Sequence, residues 1–163
     1  MSWKAITLYF VGVLALVVVL IVASQPKRDI TSSFKSTDEN RPIVALGLTE
    51  ADLGAMTLRD IKSSTFDIRN DGKADLELTR VNTSCDCTYA YVTIAGQKSE
   101  RFIMHNTLPW VGKVAPNQSA TLEVVYQPSI MPVRGPVERT VTVATNDPNK
   151  PVLTFTVKAT VSE

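Results

Sequence analysis

Apolar and polar side chains alternate at every second position in several short segments between residue 43 and the C-terminus. A strand directs successive side chains to opposite faces of its sheet, so this period of two predicts strands with one buried face. Turn-forming residues separate the segments, as in Asn70-Asp71-Gly72 and Asn146-Asp147-Pro148. The predicted strands are residues 65–69, 76–81, 89–94, 101–104, 120–126, 140–145 and 153–157.

This pattern predicts an all-β fold, because no convincing amphipathic helix accompanies the strands. We expect an immunoglobulin-like sandwich of two antiparallel sheets with at least seven strands. A domain of about 115 residues suits this architecture. Sandwiches have sheet edges, and an exposed edge strand is therefore a candidate binding surface.

The first 24 residues are strongly apolar and contain a single charged residue, Lys4. Ala5 to Ser24 forms an uncharged run of about 20 residues, and a helix of that length spans about 30 Å, the thickness of a bilayer core. We predict that residues 1–24 form one transmembrane helix that serves as a signal anchor. A cleaved signal peptide is the alternative, although its apolar region is usually shorter.

The rest of the chain divides into a predicted flexible linker at residues 25–42 and a folded domain at residues 43–163. An N-terminal apolar segment usually directs export of the domain behind it. We therefore expect a single-pass membrane protein whose C-terminal domain is extracytoplasmic, in a periplasm or at the cell exterior, where disulfides persist. Beyond residue 24 the chain carries 16 basic and 16 acidic residues, a balance that argues against binding of nucleic acid.

Several short motifs follow one another along the chain in a characteristic order. They are Asp52-Leu53-Gly54, Phe66-x-Ile68-x-Asn70-x-Gly72, Leu76-x-Leu78-x-x-Val81, Ser84-Cys85-Asp86-Cys87-Thr88, Val114-Ala115-Pro116, Val125-Tyr126-Gln127-Pro128, Gly135 and Thr145-Asn146-Asp147-Pro148. Together they resemble the DUF1573 family over roughly residues 48–161. The resemblance implies an Ig-like sandwich akin to the ASH/MSP group, found in bacterial envelope proteins, and implies no activity. The chain departs from the family at Asp86 and Asn117, where Gly is common.

Cys85 and Cys87 are the only cysteines and lie two positions apart. In an extended strand their Cβ atoms would be about 6.6–6.8 Å apart. A disulfide places Cβ atoms about 3.5–4.5 Å apart, so a bridge here requires a turn or a bulge. Three interpretations remain open: a structural disulfide or buried thiol pair, a metal site, and a redox-active dithiol.

The other candidate metal ligands are His105, which is the only histidine, Met104 and Met131. Together with Cys85 and Cys87 they form a set of soft ligands, which favours copper as Cu(I) or zinc over hard cations. Strand 120–126 and the loop of Met131 could reach the Cys85 region in a sandwich.

The sequence contains no clear catalytic constellation. A Ser-His-Asp or Cys-His arrangement would depend on His105 alone, and no Gly-rich phosphate loop occurs. We therefore expect no enzymatic activity and no catalytic residue. The first functional hypothesis is a membrane-anchored binding or scaffold module for a protein partner or an envelope complex. The alternative is a metal-binding or thiol-redox protein that uses Cys85-Asp86-Cys87.

Overall fold

The computed structural model describes residue 13, residues 34–105 and residues 109–163. The predicted transmembrane helix at residues 1–24, apart from residue 13, and the first half of the predicted linker, residues 25–33, therefore lie outside the described residues. No helical segment within the described part of the chain has the length and hydropathy of a membrane span. The described residues from position 34 onward belong to one compact unit.

The described residues contain ten strands and one short 3-10 helix. They are β1 (Val44–Leu46), β2 (Glu50–Thr57), β3 (Lys62–Asn70), β4 (Leu76–Thr83), β5 (Thr88–Ile94), β6 (Gln97–Lys98), β7 (Val111–Val114), β8 (Ser119–Tyr126), the 3-10 helix Pro128–Ile130, β9 (Gly135–Thr145) and β10 (Val152–Ser162). Sheet A has the order β1-β3-β8-β5-β6, and sheet B has the order β2-β10-β9-β4-β7. The predicted all-β sandwich of at least seven strands is confirmed.

The core lies between the two sheets and is built from the inward-facing residues of each alternating segment. Phe66 of β3 and Phe155 of β10 join the layers, with ring centroids 5.2 Å apart. Leu78 of β4 and Leu122 of β8 are fully buried in the same cluster. Burying a large apolar side chain contributes about 1.5–3 kcal/mol, so this period-two pattern stabilises the whole sandwich.

The predicted strand at residues 101–104 is wrong. Only Phe102 pairs there, as an isolated antiparallel bridge with Ala90 of β5. The chain at this point leaves the edge of sheet A and crosses to β7 at the edge of sheet B, so it cannot pair with one strand throughout. The buried ring of Phe102 covers the core instead, and the Trp110 ring packs on it edge-on with centroids 5.0 Å apart.

The sheets are not entirely antiparallel, because β2 pairs with β10 in parallel. Period-two alternation does not encode strand direction, so it could not predict this pair. The motif Asp52-Leu53-Gly54 lies in β2. A change of register in this pair and the positive φ of Gly54, +70°, mark a β-bulge.

Candidate functional site

Both cysteines lie at one end of the sandwich. Lys62 at the start of β3 and Thr88 at the start of β5 both pair with Tyr126 at the end of β8. An apolar cluster joins the two sheets here. Its members are Met56, Cys85, Cys87, Tyr126, Val137, Ala159 and Val161. We call this the disulfide end; it comprises the cluster, the turn at residues 84–87 and the loops at residues 58–61 and 127–134.

Cys85 and Cys87 form a disulfide in the turn between β4 and β5. The turn brings their Cα atoms to 5.2 Å, within the range of about 4.4–6.8 Å that disulfides require. The Thr88 amide donates a hydrogen bond of 3.2 Å to the Cys85 carbonyl. Asp86 is exposed and does not have a positive φ, so this turn does not need the glycine that the DUF1573 resemblance led us to expect.

Backbone and hydroxyl groups attach this turn to its neighbours. The Ser84 amide donates to the Thr140 carbonyl at 2.9 Å, and the Thr140 amide donates to Ser84 Oγ at 3.0 Å. The Gln127 amide donates to the Cys87 carbonyl at 2.8 Å. The disulfide is therefore fixed both to β9 and to the first residue of the loop after β8.

The two sulfur atoms have different surroundings. Arg139 of β9 donates a hydrogen bond of 3.3 Å from Nε to Cys87 Sγ. The Cys85 Sγ atom lies 3.4 Å from the hydroxyl oxygen of Thr88. Cys87 is fully buried, whereas Cys85 is 8% exposed. A cation thus contacts the sulfur of the fully buried cysteine, whereas the neutral Thr88 hydroxyl lies closer to the sulfur of the slightly exposed cysteine, at 3.4 Å against 4.0 Å.

The hydroxyl of Tyr126 is a second unusual group in this cluster. Tyr126 is fully buried, and its hydroxyl has no hydrogen-bond partner among the described residues. The Arg139 guanidinium lies 5.6 Å from the centroid of the Tyr126 ring. A buried hydroxyl without a partner costs about 1–3 kcal/mol, so this end of the domain is not optimised for stability.

The loop after β8 exposes a run of apolar side chains. Ile130, Met131 and Val133 are 42%, 47% and 43% exposed, and Pro132 between them is exposed as well. Ile61, in the adjoining loop that leads into β3, is 56% exposed. We call residues 130–133 the apolar loop. Neighbouring exposed apolar residues of this kind characterise interaction sites.

The sheet edges offer little room for an added strand. β1, β6 and β7 have three, two and four residues. β2 is longer, but Lys62 Nζ donates hydrogen bonds of 2.8 Å to the carbonyls of Leu53 and Ala55. Short strands and an inward-reaching lysine both block edge pairing. The expectation that binding uses a strand edge is therefore not supported by this geometry.

The remaining candidate ligands lie at or toward the disulfide end. The bridge at Phe102 is antiparallel to β5, so half-buried Met104 and exposed His105 come after it in the direction of the β5 start. Met131 is in the apolar loop. The described residues include no group of three or more His, Cys, Asp or Glu side chains arranged to hold a metal ion. Thiolate ligation of copper or zinc would require the disulfide to be reduced first, and this site stays a prediction.

Sequence reasoning missed Arg139. Its position in an alternating strand indicates only a solvated residue, and no spacing connects it with Cys87, 52 positions away. Only the pairing of β4 with β9 brings them together. Tyr126, in contrast, belongs to the motif Val125-Tyr126-Gln127-Pro128, and this motif could have identified it as a candidate site residue.

The opposite end, which we call the Asn70 end, contains the other polar motifs. Asn70 is fully buried. Its Nδ2 donates to the carbonyls of Ala74 and Val114 at 2.8 and 2.9 Å, and its Oδ1 accepts from the amides of Gly72 and Ile43 at 3.0 and 3.3 Å. All the hydrogen-bonding capacity of this amide is used, which identifies Asn70 as a structural residue.

Asp147 has the same kind of role in the second polar motif. Its carboxylate accepts hydrogen bonds of 2.9 Å from the amides of Val44 and Asn149 and lies 3.5 Å from Nη1 of Arg41. The amide side chain of Asn146 bridges to β4, where its Oδ1 accepts from the Glu77 amide at 2.9 Å. These contacts hold the strand ends of the two sheets together.

Residues 42–160 match the sequence model of the family described as HYDIN/CFA65/VesB-like, Ig-like domain. The match covers most of the chain, so the chain belongs to this family of Ig-like domains. The predicted immunoglobulin-like sandwich is thereby confirmed, whereas DUF1573 membership stays a prediction. A search of curated protein sequences finds no significant relative.

Solved structures share the fold at low identity. A protein of unknown function from Porphyromonas gingivalis W83 is 19% identical with a TM-score of 0.57, over 78% of this chain and 50% of that chain. The ASH / PapD-like domain 7 of human CEP192 is 13% identical with a TM-score of 0.50, over 85% of this chain and 96% of that domain. This chain thus corresponds to half of the bacterial protein. At these identities the likeness concerns the fold alone.

Proposed function

We propose that this protein is a non-enzymatic binding or scaffold module that contacts a protein partner through the disulfide end. The observation that carries the proposal is the apolar loop, whose Ile130, Met131 and Val133 side chains are each more than 40% exposed. Solvent contact of such side chains is unfavourable, and a protein surface that covers them gains hydrophobic free energy.

The position of the loop also supports a binding role. It lies between β8 and β9, and the hydrogen bond from the Gln127 amide to the Cys87 carbonyl fixes its first residue. Recognition residues commonly lie on loops that a rigid β scaffold positions. The polar side chains at the Asn70 end bond within the domain instead, which leaves the disulfide end as the better candidate surface.

We also propose that the domain is extracytoplasmic, is attached to a membrane through residues 1–24, and is of the DUF1573 type. The uncharged run at residues 5–24 supports the anchor. The bond between the only two cysteines supports an oxidising compartment, because disulfides persist outside the cytosol. A membrane and a protein are then the expected partners, and nucleic acid is not.

The test is capture of a partner by the full chain in detergent. We expect the wild type to recover a repeatable protein partner and Met131→Asp to recover at least about tenfold less, because a charge at a contact residue costs more than about 1.4 kcal/mol. Leu48→Asp is the matched control, since Leu48 is also apolar and is 79% exposed in another loop. Recovery of monomer alone, equal loss in both variants, or binding of the loop to lipid vesicles would each contradict the proposal.

A second candidate function is thiol-redox or metal chemistry at Cys85-Asp86-Cys87. The contact between Arg139 Nε and Cys87 Sγ favours it, because a guanidinium stabilises a thiolate at that sulfur. Thiol titration and native mass spectrometry with Cu(I) or Zn, before and after reduction, test this function. It fails if Cys85→Ser and Cys87→Ser change neither the thiol count nor the bound metal.

A further inference from the structure

We infer that a dithiol reduces the Cys85–Cys87 disulfide by attacking the sulfur of Cys85. Cys87 is then the leaving thiolate, and it lies beside Arg139. The inference rests on the thiol-redox candidate function and adds the substrate class and the roles of individual atoms. It concerns a reaction of this chain with a small dithiol or a dithiol protein, and it is independent of the apolar loop.

Accessibility selects the attacked atom. Thiol–disulfide exchange requires an incoming thiolate to reach one of the two sulfurs. Both cysteines belong to the apolar cluster, but Cys85 retains 8% exposure and precedes the exposed Asp86, whereas Cys87 is fully buried. A thiolate from solvent therefore meets Cys85 first.

Charge selects the leaving group. The sulfur that leaves takes the electron pair, so a cation beside it lowers the barrier. Arg139 Nε already donates to Cys87 Sγ at 3.3 Å, and its Nη1 is held by the Glu138 carbonyl at 2.9 Å. Among the described residues, the polar partner of the Cys85 sulfur is the neutral hydroxyl of Thr88 at 3.4 Å, which also lies 4.0 Å from Cys87 Sγ. Accessibility and charge therefore both predict attack at Cys85 and release of Cys87.

The exchange conserves atoms and electrons through two displacements. One thiolate of the dithiol forms a bond to Cys85 Sγ while the Cys85–Cys87 bond breaks and its electron pair passes to Cys87 Sγ. The second thiol of the donor loses its proton and attacks the donor sulfur in the mixed disulfide, which releases Cys85 as a thiolate. The donor leaves as a disulfide after giving up two electrons, and the two cysteines take up the two protons that it lost.

The first experiment measures the rate at which dithiothreitol reduces the oxidised full chain in detergent at fixed neutral pH. We expect Arg139→Gln to slow reduction about tenfold, because the leaving thiolate loses its cation, and Arg139→Lys to restore most of the rate. Arg134→Gln is the matched control; it removes the same charge from the same end, where Arg134 lies 3.1 Å from Glu163. A rate in Arg139→Gln equal to that of the control would overturn the inference.

The second experiment separates the two sulfurs. A monothiol reacts with the oxidised chain, and iodoacetamide then alkylates the sulfur that is released. Mass spectrometry should find the monothiol on Cys85 and the alkyl group on Cys87 in at least about tenfold excess over the reverse labelling. Equal or reversed labelling would refute the assignment of the attacked atom. Failure of dithiothreitol to reduce the disulfide would instead show that the thiol-redox function itself is wrong.

Discussion

The two ends of the sandwich differ in whether their buried polar atoms are hydrogen-bonded. At the Asn70 end, the fully buried amide of Asn70 has partners for both Nδ2 and Oδ1, and the carboxylate of Asp147 accepts from two backbone amides. At the disulfide end, the Tyr126 hydroxyl has no partner among the described residues, and the apolar loop is exposed.

This difference separates what stabilises the domain from what is available for binding or reaction. A satisfied buried polar network holds one arrangement of the chain and presents few free groups to a partner. The disulfide end, with its exposed apolar residues and a disulfide whose Cys85 retains 8% exposure, leaves such groups available. Mutations at the Asn70 end should therefore change stability, whereas those at the disulfide end should mainly change binding or redox behaviour.

The largest expected effect is that of Asn70→Ala. The change leaves four backbone groups without their side-chain partner, the carbonyls of Ala74 and Val114 and the amides of Gly72 and Ile43. We expect a loss of about 3–5 kcal/mol in the free energy of unfolding, measured by urea denaturation. Asn149→Ala, at an exposed position whose backbone amide makes the bond to Asp147, should cost less than about 0.5 kcal/mol. Equal losses would remove the contrast between buried and exposed amides.

The disulfide should contribute less to stability than Asn70 does. Its loop is only three residues long, and closing so short a loop restricts the unfolded chain by about 1.5 kcal/mol. We expect Cys85→Ala with Cys87→Ala to lower the free energy of unfolding by about this amount in urea. A loss larger than that of Asn70→Ala would reverse the comparison and make the disulfide primarily structural.

Tyr126→Phe should be neutral or should stabilise the domain by up to about 1 kcal/mol, because it removes a buried hydroxyl that has no partner among the described residues. The measurement is thermal unfolding followed by circular dichroism. Tyr126→Leu provides the control, since it removes ring volume as well and should destabilise the domain. Clear destabilisation by Tyr126→Phe would mean that the hydroxyl is satisfied, and the two ends would then be alike in this respect.

The smallest expected effect concerns Asp60 in the loop at residues 58–61. Hydrogen bonds from the Thr57 amide and then from its hydroxyl lower the pKa of Asp60 below its usual 3.8. A lowered pKa stabilises the fold at neutral pH, and this contribution is lost as the pH falls through the folded-state value. The stability difference between wild type and Asp60→Asn should thus be constant near neutral pH and should shrink below pH 3.8. A stability difference that grows as the pH falls would contradict this prediction, because it would mean that folding raises the pKa of Asp60.

Much of the fold could be predicted from local pattern. Segments such as residues 76–81 and 120–126 alternate because one face of each strand is buried, and both segments are strands in the structure. Asn117 stands where the DUF1573 resemblance led us to expect glycine, and its φ of +62° lies in the left-handed region, which asparagine tolerates. The failures occurred at residues 101–104 and at the β2–β10 pair, where the path of the chain between the sheets decides the structure.

The amino-acid sequence by itself determined that the domain is a β-sandwich, because apolar periodicity and turn chemistry are local properties. It also placed the two cysteines where a disulfide is possible only in a turn. Tertiary structure alone decided that Arg139 contacts Cys87 and not Cys85, since the pairing of β4 with β9 brings these distant residues together. It also decided which polar motifs are internally satisfied, because hydrogen-bond partners such as Asn70 and Val114 are far apart in the chain and adjacent only after folding.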